Sequence, residues 1–165
     1  MSSFMNDHPE QMLGRLPAGG FELIADGAPP TRFVPDRDGW RADGAAPDGW
    51  ALRRPGEAGA RFVLLAEDGE TEIGRTMSLD GSDQNPDLYY LLLGDGRLFR
   101  IALRGPRDGR FELQGWETGG AYLEARPRTE DWKVAPTPAC AGLDDIRALT
   151  ILFAAEVLES ERPLN

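Results

Sequence analysis

Short apolar runs, several alternating with polar residues, occupy the chain from Phe21 to Ala135, and a stretch with almost no polar position follows near the C-terminus. The clearest alternation spans Arg97–Arg104, where Leu98, Arg100, Ala102 and Arg104 oppose Phe99, Ile101 and Leu103. Arg110–Trp116 repeats it, with Phe111 and Leu113 against Glu112 and Gln114. A period of two is the mark of a strand with one face in the core. Leu88–Leu93 is apolar throughout, which predicts a strand buried on both faces. Glu70–Met77 alternates in part, and further strand-like runs lie at Phe21–Ile24, Thr31–Val34, Trp50–Arg53, Arg61–Ala66, Ala121–Ala125 and Asp131–Ala135. Asp36–Asp48 reads as the most loop-like segment.

Eight Asp-Gly pairs, starting at Asp26, Asp38, Asp43, Asp48, Asp68, Asp80, Asp95 and Asp108, separate these runs. Asp-Gly suits the positive φ angles of type I′ hairpin turns, so the spacing predicts an up-and-down antiparallel meander. A meander of many strands closes or doubles over to hide its edges. From Ala148 to Leu158 only Thr150 and Glu156 are polar. A helix without a polar face must be surrounded, and eleven residues reach only about 16 Å, too short for a membrane span. The wrapping has to come from the protein. The predicted fold is therefore mainly β: a closed antiparallel barrel, or a strongly curled sheet, around a buried C-terminal helix over about 144–159, with Asp144 and Asp145 as N-cap residues. Residues 21–165 form this single domain. Residues 1–20 precede it as a segment in which Pro9 to Leu16 could form a short helix ended by Pro17 and Gly19-Gly20.

Charge narrows the set of partners. The 165 residues carry a formal net charge of −10, and Lys133 is the only lysine among 18 basic residues. That balance disfavours nucleic acid and anionic membrane surfaces, both of which need a basic patch. Cys140 is the single cysteine and His8 the single histidine, so no disulfide, His-based triad or multi-Cys metal site is expected. The first ten residues lack the basic and apolar regions of a signal peptide, and a cytoplasmic location is the default expectation.

Candidate chemistry is sparse. Asp36–Gly39 and Asp80–Asp87 crowd oxygen ligands but lack the twelve-residue spacing and closing Glu of a calcium loop, and read as solvated turns. Phosphate-binding loops and a Gly-x-Ser-x-Gly elbow are missing, so no catalytic residue, cofactor or metal is assigned. Glu156 is the polar anomaly, because a buried carboxylate must be paired or neutral. An arginine near a barrel mouth is its expected partner. Arg97, Arg100, Arg104, Arg107, Arg110 and Trp116 form a candidate ligand or partner surface.

The order of parts resembles the tubby C-terminal-like superfamily, with small LURP-one-related and scramblase-like members nearest in length. The resemblance rests on Leu88–Ile101 as a strand–turn–strand centre, on Arg110–Gly115, and on Asp145–Glu156 as the central helix. It implies a closed barrel around that helix, and lipid or phosphoinositide contact in some members. It transfers no lipid-site residue to this chain. The residues themselves favour a non-catalytic domain that binds a protein or ligand through barrel-end loops, for instance as an acidic inhibitor of a basic partner. Membrane-lipid binding through the five arginines is the alternative, and an enzyme using carboxylates is the least supported reading.

Overall fold

The computed structural model describes residues 9–43, 49–78, 89–104, 109–140, 143, 145–162 and 164. Twelve strands follow one another: β1 Gln11–Arg15, β2 Phe21–Ile24, β3 Thr31–Asp36, β4 Gly39–Asp43, β5 Ala51–Arg53, β6 Ala60–Leu65, β7 Glu72–Ser78, β8 Tyr89–Leu93, β9 Leu98–Arg104, β10 Arg110–Gly115, β11 Ala121–Pro127 and β12 Trp132–Pro136. Each pairs antiparallel with its neighbours in sequence, and β1 pairs with β12 to close the barrel. The seam places Gln11 opposite Val134 and Leu13 opposite Trp132. After a 3-10 turn at Pro138–Cys140, helix α1 (Ile146–Glu161) runs through the interior.

The helix fits because the strands turn alternate side chains inward. Leu13, Leu64, Leu91, Leu113 and Val134, from five different strands, share one core with Leu149, Leu152, Phe153 and Val157 of α1. Those four helix residues are 0% exposed, and every residue from Ala148 to Leu158 is buried. The helix lies closest to β7, whose inward residues Gly74, Thr76 and Ser78 are small. A Cβ on Gly74 would stand 3.0 Å from Leu152 Cδ1 and 3.1 Å from the Leu92 carbonyl oxygen, so a side chain here would push the helix and β7 apart by a few tenths of an ångström.

Several expectations need correction. The segment expected to be a short helix, Pro9–Leu16, holds strand β1, because the edges of β2 and β12 would otherwise lie open and Leu13 has a core site waiting. The loop-like stretch Asp36–Asp48 contains β4, anchored by buried Trp40. Strand β8 is not buried on both faces: Tyr89, Leu91 and Leu93 point inward, while Tyr90 and Leu92 lie half-buried on the outer wall. Helix α1 begins and ends about two residues later than expected. Asp145 holds the N-cap position without a side-chain cap bond, and its carboxylate is bonded to Arg97 instead. Asp144 lies outside the described residues.

The hairpin turns also differ in type. Among the described residues no non-glycine has a positive φ, so Asp68 and Asp95 stay right-handed while Gly69 (φ 75°) and Gly96 (φ 95°) take the left-handed position. This is the pattern of longer loops built on a type I turn, not of type I′. Asp68 fixes its loop by accepting from the Thr71 hydroxyl at 2.6 Å and from the Thr71 and Glu70 amides at 2.8 Å each. These bonds, the Thr71 hydroxyl first, hold its pKa at about 2. The unfolded value is about 3.9. A depressed folded pKa stabilises above the unfolded value, so this contribution should be present above about pH 4 and gone below about pH 2. An NMR carboxyl titration should place the Asp68 midpoint near 2, and Thr71→Val should move it upward.

Candidate functional site

Chain direction assigns each group to an end of the barrel. α1 enters near the β8–β9 turn, where Asp145 meets Arg97, and leaves near β1, where Arg15 Nη2 donates to the Leu158 and Arg162 carbonyls at 2.5 and 2.6 Å. Arg15 thereby satisfies helix-end acceptors and opposes the negative pole of the helix. At the same end Arg54 grips Glu159 with two bonds of 3.1 and 2.7 Å, and the Leu164 amide donates to Glu159 Oε1 at 2.9 Å. Arg54 also lies 4.9 Å from the Phe62 ring centroid. The chain beyond α1 is thus tied back onto the barrel.

Glu156 sits inside, near this exit end, and is 1% exposed. Arg61 Nε donates to its Oε2 at 2.8 Å, and the Arg61 side chain is itself only 8% exposed. A β-bulge explains how a charged strand residue turns inward. Ala60 pairs with Met77 and Phe62 with Thr76, leaving Arg61 as the extra residue. Its guanidinium lies 3.9 Å from the Tyr89 ring centroid. Thr76 accepts from the Phe62 amide at 3.1 Å and faces the carboxylate. Burial pushes the Glu156 pKa up, while Arg61 and then Thr76 pull it back, and the net shift is upward. Oε1 has no hydrogen-bond partner. Cut off from solvent, this carboxylate ties α1 to β6 through Arg61.

The arginines named in the sequence do not gather at one place. Arg97 is on the rim where α1 starts, engaged by Asp95 and Asp145. Arg100 is exposed on the outer wall between Tyr90 and Gln114, with no ion pair among the described residues. Arg110 pairs in register with Arg104 near the opposite rim. The Arg104 side chain and all of Arg107 lie outside the described residues. Of the acidic loops, Asp36 is bonded to Arg53 at 3.3 Å, whereas Asp80–Asp87 lies outside the described residues. Among the described residues no three metal-ligating side chains converge.

Trp116 is the exposed aromatic. At 42% exposure it sits where β10 ends, its amide donating to the Leu98 carbonyl at 3.2 Å. Its ring meets Tyr90 edge-on, with centroids 5.9 Å apart. Together with Arg97, Leu98, Glu117 and Tyr122 it lines an open cleft of about 490 Å³ at the rim where α1 starts. Half-buried Leu92, Leu98 and Tyr90 carry the apolar surface from that cleft down the outer wall towards Arg100. The sequence pointed to Trp116 but not to Tyr90 and Leu92, which look like core residues in a continuous apolar run.

Comparisons with protein-family models, with characterised proteins and with solved structures returned no match.

Proposed function

We propose that this protein is a non-catalytic binding domain that engages a protein or ligand at the helix-start rim, with Trp116 as the anchor. The observation that carries this reading is an exposed tryptophan in an open cleft, backed by Tyr90 and Leu98 and followed by Arg100, exposed and without an ion pair among the described residues. Aromatic and arginine side chains of this kind dominate binding energies at protein interfaces. The interior supports the same reading, since α1 and the Glu156–Arg61 pair run through it. The net charge of −10 would draw in a basic partner, as an inhibitor or immunity protein needs. No helix among the described residues is long and apolar enough to cross a membrane.

The test is affinity capture with the wild type and a Trp116→Ala/Arg100→Glu variant of matched melting temperature. The reading expects a partner whose retention drops about tenfold or more in the variant. Equal retention by both proteins, or substrate turnover with no partner captured, overturns it.

A second reading is favoured by one observation, the register that sets Arg104 directly across from Arg110 on the strand that also carries Arg100. It treats the protein as a lipid-binding member of the tubby-like group, and twelve antiparallel strands followed by an interior helix support that kinship. Co-sedimentation with anionic vesicles that weakens with salt, and falls in Arg100→Glu/Arg104→Glu, is the expected result. Equal indifference to neutral and anionic vesicles at low salt removes it.

A further inference from the structure

The barrel interior is not filled everywhere. Beside the first turn of α1 a partly enclosed slot of about 140 Å³ remains between the helix and the wall formed by β11, β12 and β1. Leu123, Val134, Pro136 and Ile146 supply its aliphatic surface, Thr150 lies in its wall, and Gln11 and Arg147 also line it, the Arg147 guanidinium standing 5.3 Å from the Trp50 ring centroid. Leu123, Val134 and Thr150 are buried, so these side chains belong to the core and are fixed by it. A void of this size is large for a well-packed interior, where gaps bigger than one water are few.

Its polarity says what it holds. The one hydroxyl in the wall, that of Thr150, is spent on the Ile146 carbonyl at 2.7 Å. A water in the slot would need two to four polar partners, and away from Gln11 and Arg147 the aliphatic wall supplies none. Apolar cavities of about 150 Å³ stay dry and accept one benzene-sized molecule. A charged molecule would lose its hydration against Leu123, Val134 and Ile146, and the one charged side chain in the lining, Arg147, is already engaged over the Trp50 ring. At the edge the Gln11 amide has no hydrogen-bond partner among the described residues, and it can both donate and accept.

We infer that this slot is a binding site for a small uncharged molecule, a single ring or branched chain of about six to eight heavy atoms, with its apolar body against Leu123, Val134 and Ile146 and one hydroxyl, carbonyl or amide group at Gln11. The site is separate from the Trp116 cleft. It shares no side chain with that cleft and stands whether or not a partner docks there.

Methyl-detected NMR titration with phenol, toluene and benzoate tests it. Phenol and toluene should give saturable shifts concentrated on the methyls of Leu123, Val134 and Ile146, and benzoate should give none. Val134→Phe puts a ring into the void and should weaken phenol at least about tenfold. Should that variant fail to fold, Leu123→Phe is the alternative plug. Gln11→Ala should weaken phenol several-fold while leaving toluene unchanged, and Trp116→Ala should change neither. Absence of saturable shifts at millimolar probe overturns the inference, as does binding that survives a folded plug variant or favours benzoate over phenol. If the slot binds its probes while the rim captures no partner, the reading of Trp116 fails and this one does not.

Discussion

Arg61→Leu should destabilise the protein by about 3–5 kcal/mol at neutral pH, and the loss should shrink as the pH falls. The substitution strands the Glu156 carboxylate, already 1% exposed and lacking a partner on Oε1, with its main counter-charge gone. Breaking a buried pair by removing one member costs about that much, because an uncompensated charge is left behind. The sign with pH follows from the direction of the shift. Glu156 already has a folded pKa raised by burial, and removing Arg61 raises it further. A folded carboxyl that holds its proton more tightly than the unfolded one favours folding at low pH, so stability is greatest below about pH 4.3 and declines as pH rises through the folded pKa. Urea melts of Arg61→Leu at pH 4.5 and pH 8 should therefore differ widely, and those of Arg61→Leu/Glu156→Gln should differ much less. The double variant should also be more stable than Arg61→Leu at pH 8. Equal loss at both pH values would mean that Arg61 matters for its packing on Tyr89 and not for its charge.

Leu152→Ala should cost about 2–5 kcal/mol, measured by the same melts. Leu152 is 0% exposed, and its Cδ1 occupies the groove that Gly74 opens on β7. Truncation leaves a void that a closed barrel cannot collapse around, since moving β7 inward would strain its ladders to β6 and β8. The cost should fall towards the upper part of that range. A loss below about 1 kcal/mol would mean that the helix is held far more loosely than this packing implies.

The parts of the fold written in local patterns were legible in the sequence, and those depending on distant partners were not. Leu98–Ala102 and Arg110–Leu113 alternate in burial, and α1 has no polar face, so each announces its own environment. β1 does not, because its only strong signal is Leu13 and its partner Trp132 lies at the far end of the chain. β4 carries Gly39, Arg41 and Asp43 around a single buried Trp40, which leaves too little periodicity to see. At the site, Glu156 was conspicuous as a lone carboxylate among apolar residues. Arg61 was not, because a charge at the head of an apolar run looks solvated unless a bulge turns it inward. Tyr90 and Leu92 were hidden by the opposite effect: a wholly apolar strand gives no sign of which face is outside. Asp-Gly marked the turns but not their type, since the aspartates bond side chain to backbone and leave the left-handed position to glycine alone.

Closure between the first strand and the last has a consequence for how the molecule is made. During synthesis β1 emerges long before β12, and the helix that fills the centre emerges after both. Until then the nascent chain is an open meander with two free edges and an unfilled apolar face, the state most exposed to pairing with other chains. Sealing must wait for contacts between the ends of the chain, which slows folding. The helix, which leaves the ribosome after every strand, is therefore what ends the hazard, and a chain cut short before Ile146 should aggregate and not merely lose stability.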